Sequence, residues 1–531
     1  VNPILLLILG LGVVLGGILW LRLHAFLALI LGALVVGGLT SEHFLQQAMH
    51  AKFYGELVRQ TIEDEFRLQV DRVLRESKLS EPQVDQAPDW TGLRRLANRH
   101  VAARDAELQA LAASKADSFV RGNTILTRIT TALGSTFEKI GLLIVLACIV
   151  GRCLLASGAA ERIVRSALAL VGPQGAPIAF SASSFLLSIP VFFDSVYLLV
   201  IPLAKASWLK LRKNYLLFVL ALVTGGTMTH SLVPPTPGPL FVAEELGVNL
   251  GMMILVGLLV GLCCTTVGLL FAMWLNTRIE IPVRDTPEAL AELEAFSKRP
   301  LNELPSLFFS LLPVVLPVFL ISGATIYKSL AEPIDSVPSF VHWFGNQNVA
   351  LGVSATIAMF VAGHYLRSRD ALAKQTQLAM QEAGLIILVC CGGGAFGATL
   401  EQSGIGPYIS HMTGSQPLDF GLLPLAFLVT AVIRGAQGSS TVAMFTGVAI
   451  VRGLVPDLAE LSYHPVYLAV SIGCGSKPFP WMNDSGFWVI SRMSGMTEKE
   501  ALQTHTPMVT LMGFTGILVT MLAAQLLPLN G

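Results

Sequence analysis

Apolar runs long enough to cross a bilayer recur along most of this chain, separated by short polar breaks. A spanning helix needs about 20 predominantly apolar residues. By that measure the pattern predicts spans near 3–20, 24–40, 137–157, 214–246, 250–275, 306–327, 348–366, 380–400, 464–492 and 506–528. The first run is followed at once by a second, which predicts retained spans and not a cleaved signal peptide. Two further apolar stretches, 177–204 and 421–451, carry polar, Gly or Pro residues at their centres: IPVFFDS at 189–195 and RGAQGSST at 434–441. These read as re-entrant hairpins. The spans at 214–246 and 464–492 are broken, by HSLVPPTPGP (230–239) and GSKPFPWMNDSG (475–486). Pro removes a backbone donor and interrupts a helix. Backbone freed in this way is tolerated at membrane depth only when it is buried in protein or lines a cavity.

The same order recurs. PIAF at 177–180 returns as PLAF at 424–427, and GLLIVLAC at 141–148 resembles GLIILVCC at 384–391. At nearly the same offset the two hairpin centres align, and Gly238 in the first break falls opposite Gly486 in the second. Each copy would hold five crossings and one hairpin. Because five is odd, the second copy would lie upside down. The expected fold is therefore an all-α polytopic membrane protein built as an inverted repeat, with substrate near the midplane between paired breaks. Its expected parts are two helices in 1–40, a soluble insert at 41–130, a first core at 131–277, a cytoplasmic loop at 278–305, two helices in 306–366 and a second core at 380–528.

Composition sharpens this picture. The chain has 531 residues, 53% hydrophobic and only 13% charged, with no net charge. Soluble domains carry about 25% charged residues. Here 26 of the 70 charged residues sit in 41–130, which reads as a solvated helical insert with a turn at 81–90 and a second helix from about Thr91. A soluble enzyme, a disordered chain and a nucleic-acid binder are excluded. The seven cysteines all lie in apolar segments without metal spacing, so neither disulfides nor a metal site is expected, and no cofactor. Lys and Arg concentrate in one set of short loops, which should be cytoplasmic. Ten crossings would then place both termini and the insert outside the cytoplasm.

HSLVPPTPGP, GGGAFGATLEQSGIG (392–406), RGAQGSSTVAM (434–444) and MNDSGFW (482–488) resemble motifs of the gluconate:proton symporter (gluconate permease) family, within the ion transporter superfamily. The likeness covers both halves of the membrane part and not 41–130. It implies a secondary active symporter of the bacterial inner membrane, taking up gluconate or a related sugar acid or hydroxy-carboxylate with a proton by alternating access. The partners implied are a small organic anion, its coupling proton, the lipid bilayer and a second copy of the chain. A sodium-coupled di- or tricarboxylate symporter of the same superfamily is the alternative.

The residues support this reading in their own terms. Half-helix N-termini at breaks offer free N–H groups to an anion. Thr236, Gly238, Ser439, Ser440, Thr441, Asn483 and Ser485 are therefore the expected substrate contacts. An intramembrane carboxylate is costly and functional by default, which makes Asp194 a proton carrier or the N-cap of the second hairpin arm. His230 either titrates near neutrality or is a hydrogen-bonded packing histidine. Asp484 either ligates a cation, carries a proton or caps the following half-helix. Arg434 either meets a substrate carboxylate, snorkels, or pairs with Glu401 or Asp484. Lys477 departs from the family pattern, where an apolar or small residue stands. Near the cavity it would neutralise an anionic substrate or replace a bound cation.

Overall fold

A computed structural model describes residues 2–79, 101–286, 300–330, 338–405, 408, 420–455, 458 and 461–529. Among these residues the secondary structure is helical, with one short 3-10 turn and no strand. The expected turn at 81–90, the helix start at Thr91 and residues 287–299 of the expected loop 278–305 lie outside them.

Helices α1 (Pro3–Leu19) and α2 (Ala25–Leu39) pack on each other. Pro3 begins α1 where a missing N–H costs nothing, and the Asn2 side chain accepts from the Ile4 N–H at 2.9 Å. The insert follows as α3 (Glu42–Leu79) and α4 (Asp105–Gly122), an antiparallel pair. Its pairing is fixed by Gln46 with Asp117, the His50 ring with the Gln109 carbonyl at 3.3 Å, and Tyr54 with Asp105. Leu45, Met49, Leu57, Leu108, Ala112 and Ala116 repeat at helical spacing and bury one strip between the two helices. Charged residues cover the rest, which accounts for the charge concentrated in this part of the sequence.

A continuous helix runs through the expected boundary at 130. Helix α5 (Ile125–Ala156) starts at Ile125 under its own N-cap, Thr124. Arg128 lies inside the membrane bundle, donating to the Gly37 carbonyl at 3.3 Å and to Gln402 at 3.1 Å. The apolar pattern gives no sign of this earlier helix start because the first turns of α5 carry Thr and Arg. Then come α6 (Ala159–Val171), α7 (Ala176–Leu187), α8 (Phe193–Leu211), α9 (Tyr215–Leu232), α10 (Pro237–Glu245) and α11 (Leu250–Asn276). The second half runs α12 (Leu307–Leu330), α13 (Ser339–Phe344), α14 (Gln347–Leu366), α15 (Arg369–Gln402), α16 (Leu422–Gln437), α17 (Ser440–Leu454), α18 (Val466–Gly475), α19 (Ser485–Ser494) and α20 (Glu498–Leu526).

Seven of the described helices are long and apolar enough to cross a membrane, or eight if the bent α2–α3 pair forms one span. That is fewer than the ten crossings expected. The difference lies in length: α1 and α2 have 17 and 15 residues, and the stretch 464–492 consists of two ten-residue helices. At ~1.5 Å per residue none of these reaches across ~30 Å of hydrocarbon alone. By contrast α5 and α15, with 32 and 34 residues, start well before the apolar runs that signalled them and outrun that thickness.

The order of long helix, paired helices meeting at a tip, interrupted helix and long helix occurs twice, as α5, α7–α8, α9–α10, α11 and as α15, α16–α17, α18–α19, α20. The centre of the molecule is α9, where every residue except His230 is buried. A helix apolar on all sides must be enclosed. Gly225 permits the enclosure: a Cβ there would sit 2.0 Å from the Ser181 carbonyl oxygen of α7. Serine hydroxyls complete the contact, with Ser184 donating to the Leu222 carbonyl at 2.7 Å and Ser181 bonded to Thr224 at 2.9 Å. All seven cysteines are free thiols, six of them buried.

Candidate functional site

The two helix-pair tips, α9, the second break and α20 meet around one cavity of about 150 Å³. From the first tip come Phe192, Phe193 and Asp194; from α9, Thr227 and His230; from the second tip, Ser439, Ser440 and Thr441. The segment between α18 and α19 adds Lys477, Pro480 and Asp484, and α20 adds His505 and Val509.

The second tip is shaped by its sequence. Helix α16 ends at Gln437, and Gly438 turns the chain with φ +78°. Only glycine fits this position, because a Cβ would lie 2.0 Å from the Asn483 carbonyl oxygen. Ser439 then caps α17, accepting from the Val442 N–H at 3.3 Å. The last carbonyls of α16 have no helical partner. Trp481 donates to the Gly435 carbonyl at 2.9 Å, and the Asn483 amide donates to Gly435 at 2.8 Å and Ala436 at 3.2 Å. The interrupted stretch after α18 is thereby fastened to the end of α16.

Charge is divided unequally across the cavity. Arg434 makes an ion pair with Asp484 and donates through Nε to the Ser476 carbonyl at 3.0 Å, which also accepts from Ser440 Oγ at 3.0 Å. Asp484 caps α19 through its other oxygen, which accepts from the Gly486 N–H at 2.9 Å. Of the alternatives open for these residues, Arg434 takes Asp484; Glu401 is held instead by Lys52 at 3.6 Å and Arg452 at 3.9 Å. Lys477 is 2% exposed, and among the described residues neither its ammonium nor the Asp194 carboxylate has a hydrogen-bond or ion-pair partner. The N-cap of α8 is Phe192, so Asp194 stands inside the first turn and does not cap it. Its Oδ1 faces Gly486, 3.4 Å from where a Cβ would stand.

Nine of the twelve residues singled out in the sequence line this cavity: Asp194, His230, Arg434, Ser439, Ser440, Thr441, Lys477, Asp484 and Ser485. Three do not. Thr236 donates to the carbonyls of His230 at 2.9 Å and Val233 at 2.7 Å, closing the end of α9. Gly238 lies under Met444, whose Cε would be 1.9 Å from a Cβ. Asn483 fastens α16 from behind. Sequence reasoning missed Thr227 and His505. The signal for His505 was a lone imidazole close to Pro507 at the edge of the last apolar run, and both His505 and His230 keep a buried Nδ1 without a partner.

Comparison with known proteins agrees with this architecture. The sequence model described as GntP family permease matches residues 111–527, so the match begins inside the charged insert, earlier than the motifs alone implied. An uncharacterised permease of Haemophilus influenzae is 33% identical over 409 residues, covering 74% of this chain and 82% of that protein. The low-affinity gluconate transporter of Escherichia coli K12 is 28% identical over 398 residues (74% and 87%), and the Gnt-II system L-idonate transporter of the same strain 30% over 399 (74% and 88%). Among solved structures, MtrF of Neisseria gonorrhoeae and the YdaH transporter of Alcanivorax borkumensis share the fold, with TM-scores of 0.53 and 0.52. Each is 16% identical and covers 76% of this chain; the chain covers 85% of MtrF and 90% of YdaH. On the family match and the identity to the Haemophilus permease, the chain belongs to the GntP permease family and is a multi-pass membrane transporter, not an enzyme.

Proposed function

We propose that the protein is a proton-coupled symporter of gluconate or a related sugar acid. One observation carries this reading: a partly open cavity in which an ammonium, Lys477, and a carboxylate, Asp194, neither with an ion-pair partner among the described residues, stand among the hydroxyls of Ser439, Ser440, Thr441, Ser485 and Thr227. A carboxylate-bearing polyol matches both halves of that lining, since hydroxyls donate and accept in turn. Two relatives, a gluconate and an L-idonate transporter, support the same class.

In this reading Asp194 carries the proton, Lys477 attracts the acid group, and the Arg434–Asp484 pair holds the second tip in place. His230 and His505 offer ring nitrogens to substrate hydroxyls. The two similar halves lie upside down to one another, and one moves against the other to open the cavity to each side in turn. The carrier works as a homodimer in the inner membrane, with the insert outside the cytoplasm. The test is uptake into proteoliposomes holding the full chain. An inward proton gradient should drive gluconate accumulation, and Asp194→Asn should abolish that drive while substrate binding survives. Accumulation driven by sodium alone, or unchanged coupling in Asp194→Asn, would refute the proton assignment.

A further inference from the structure

The charged groups of the cavity can be counted. Arg434 and Asp484 neutralise each other in a buried pair. Lys477 and Asp194 remain, one of each sign. The other titratable groups facing the cavity are His230 from α9 and His505 from α20, and each leaves Nδ1 buried without a partner, which suits an uncharged ring. The first tip contributes no charge besides Asp194, and the second tip none besides Arg434. The empty cavity is thus neutral when Asp194 is ionised.

Lys477 is 2% exposed, and charges held out of water in this way tolerate little net charge beside them. A monocarboxylate entering the ionised cavity adds one negative charge. A proton on an Asp194 carboxylate oxygen removes it and leaves the substrate carboxylate paired with Lys477. A dicarboxylate still leaves one negative charge after that protonation. An uncharged polyol gives Lys477 nothing to pair with. We propose that Lys477 is the substrate-carboxylate anchor and Asp194 its counter-charge in the empty carrier, so that the cavity selects polyhydroxy monocarboxylates against both dicarboxylates and uncharged polyols. This rests on the reading of the cavity as the transport site, and it assigns the specificity of that site to one residue that the interrupted helix places there.

The experiment is competition against labelled gluconate uptake in proteoliposomes, with gluconate, glucarate and glucitol as a series of one, two and no carboxylates on the same chain length. Wild type should prefer gluconate at least tenfold over both others. Lys477→Met should raise the KM for gluconate at least tenfold and erase its advantage over glucitol, while Lys477→Arg should restore the advantage. Lys477→Gln, which keeps a donor and loses the charge, replaces the methionine variant if that protein is not monodisperse, with the same expected loss. Glucarate competing as well as gluconate in wild type, or an intact gluconate preference in the uncharged variants, would overturn the proposal while leaving the transporter reading standing. Wild type that takes up no sugar acid under any imposed gradient would reject the transport reading itself, and this inference with it.

Discussion

Arg434 reaches from the last turn of α16 to Asp484, the residue that caps α19, so a single ion pair joins the second tip to the second break. The pair is buried on both sides, with side-chain exposures of 5% and 11%. Asp484 is thereby occupied twice, by a guanidinium and by the Gly486 N–H, and Lys477 is left as the unpaired cation of the cavity.

Breaking that pair from one side should be severe. Arg434→Met would strand a buried carboxylate and remove a donor from the Ser476 carbonyl, at a cost of roughly 3–5 kcal/mol. The double variant Arg434→Met with Asp484→Asn should lose less than the two single losses added together, because asparagine still caps a helix and carries no charge. Thermal unfolding of the four proteins in detergent measures the coupling. Additive losses would show that the pair does not hold the tip to the break.

Gly438 can be tested against Gly435, three residues earlier. Gly438→Ala places a Cβ against the Asn483 carbonyl and forces alanine to φ +78°, which alone costs about 1–2 kcal/mol. At Gly435 a Cβ meets nothing within 4 Å. Gly438→Ala should therefore displace the segment that carries Lys477 and reduce uptake more than tenfold, with helical content by circular dichroism unchanged. Gly435→Ala should transport like wild type. Equal activity in both would mean that the tip does not govern the cavity.

Much of this site was legible because polar residues inside apolar runs are rare and had to be explained. IPVFFDS, RGAQGSST and GSKPFPWMNDSG stand out by contrast, and the residues that line the cavity at both tips and at the second break come from them. Other features were hidden for physical reasons. Thr236 and Asn483 are polar residues at breaks too, but whether such a side chain faces a cavity or satisfies a nearby carbonyl depends on its rotamer, which spacing does not reveal. The starts of α5 and α15 escaped the hydropathy pattern because their first turns carry Thr, Arg, Asp and Lys, many of them exposed. Residues such as Arg128 are tolerated there by hydrogen bonds from distant parts of the chain.

His505 shows what a lone buried imidazole can contribute. It is 3% exposed, packs its ring edge toward Phe487 with centroids 6.3 Å apart, and borders the cavity. Replacement by leucine removes a hydrogen-bonding ring nitrogen from the lining. One lost hydrogen bond of about 0.5–1.5 kcal/mol corresponds to a KM increase of up to about tenfold. His505→Gln keeps a side-chain donor and acceptor at similar reach and should stay within about threefold of wild type on the same grounds. Steady-state uptake kinetics separate the two variants. An unchanged KM in His505→Leu would show that the ring serves packing alone.

The insert should be removable. Its two helices contact each other more than they contact the membrane part, and the Gln46–Asp117 bond lies near the base of the pair. Residue Gly37 at the end of α2 approaches Ile125 at the start of α5 closely enough that a Cβ on Gly37 would lie 2.9 Å from the isoleucine Cδ1. A short flexible linker can therefore join α2 directly to α5 with little closure cost. Among the described residues an ionic tie that would be lost, Lys52 to Glu401, is 3.6 Å long and partly exposed, and such pairs contribute about 0–1 kcal/mol. A variant lacking residues 43–121 should fold, melt within a few degrees of the full chain and retain gluconate uptake. Collapse of expression, or uptake lost from a protein that still melts cooperatively, would show that the insert takes part in the transport cycle. In the intact chain, a cysteine introduced at residue 85 should react with a membrane-impermeant maleimide added to whole cells in which the native cysteines have been replaced. Labelling only after the membrane is opened would place the insert in the cytoplasm and invert the orientation of every helix.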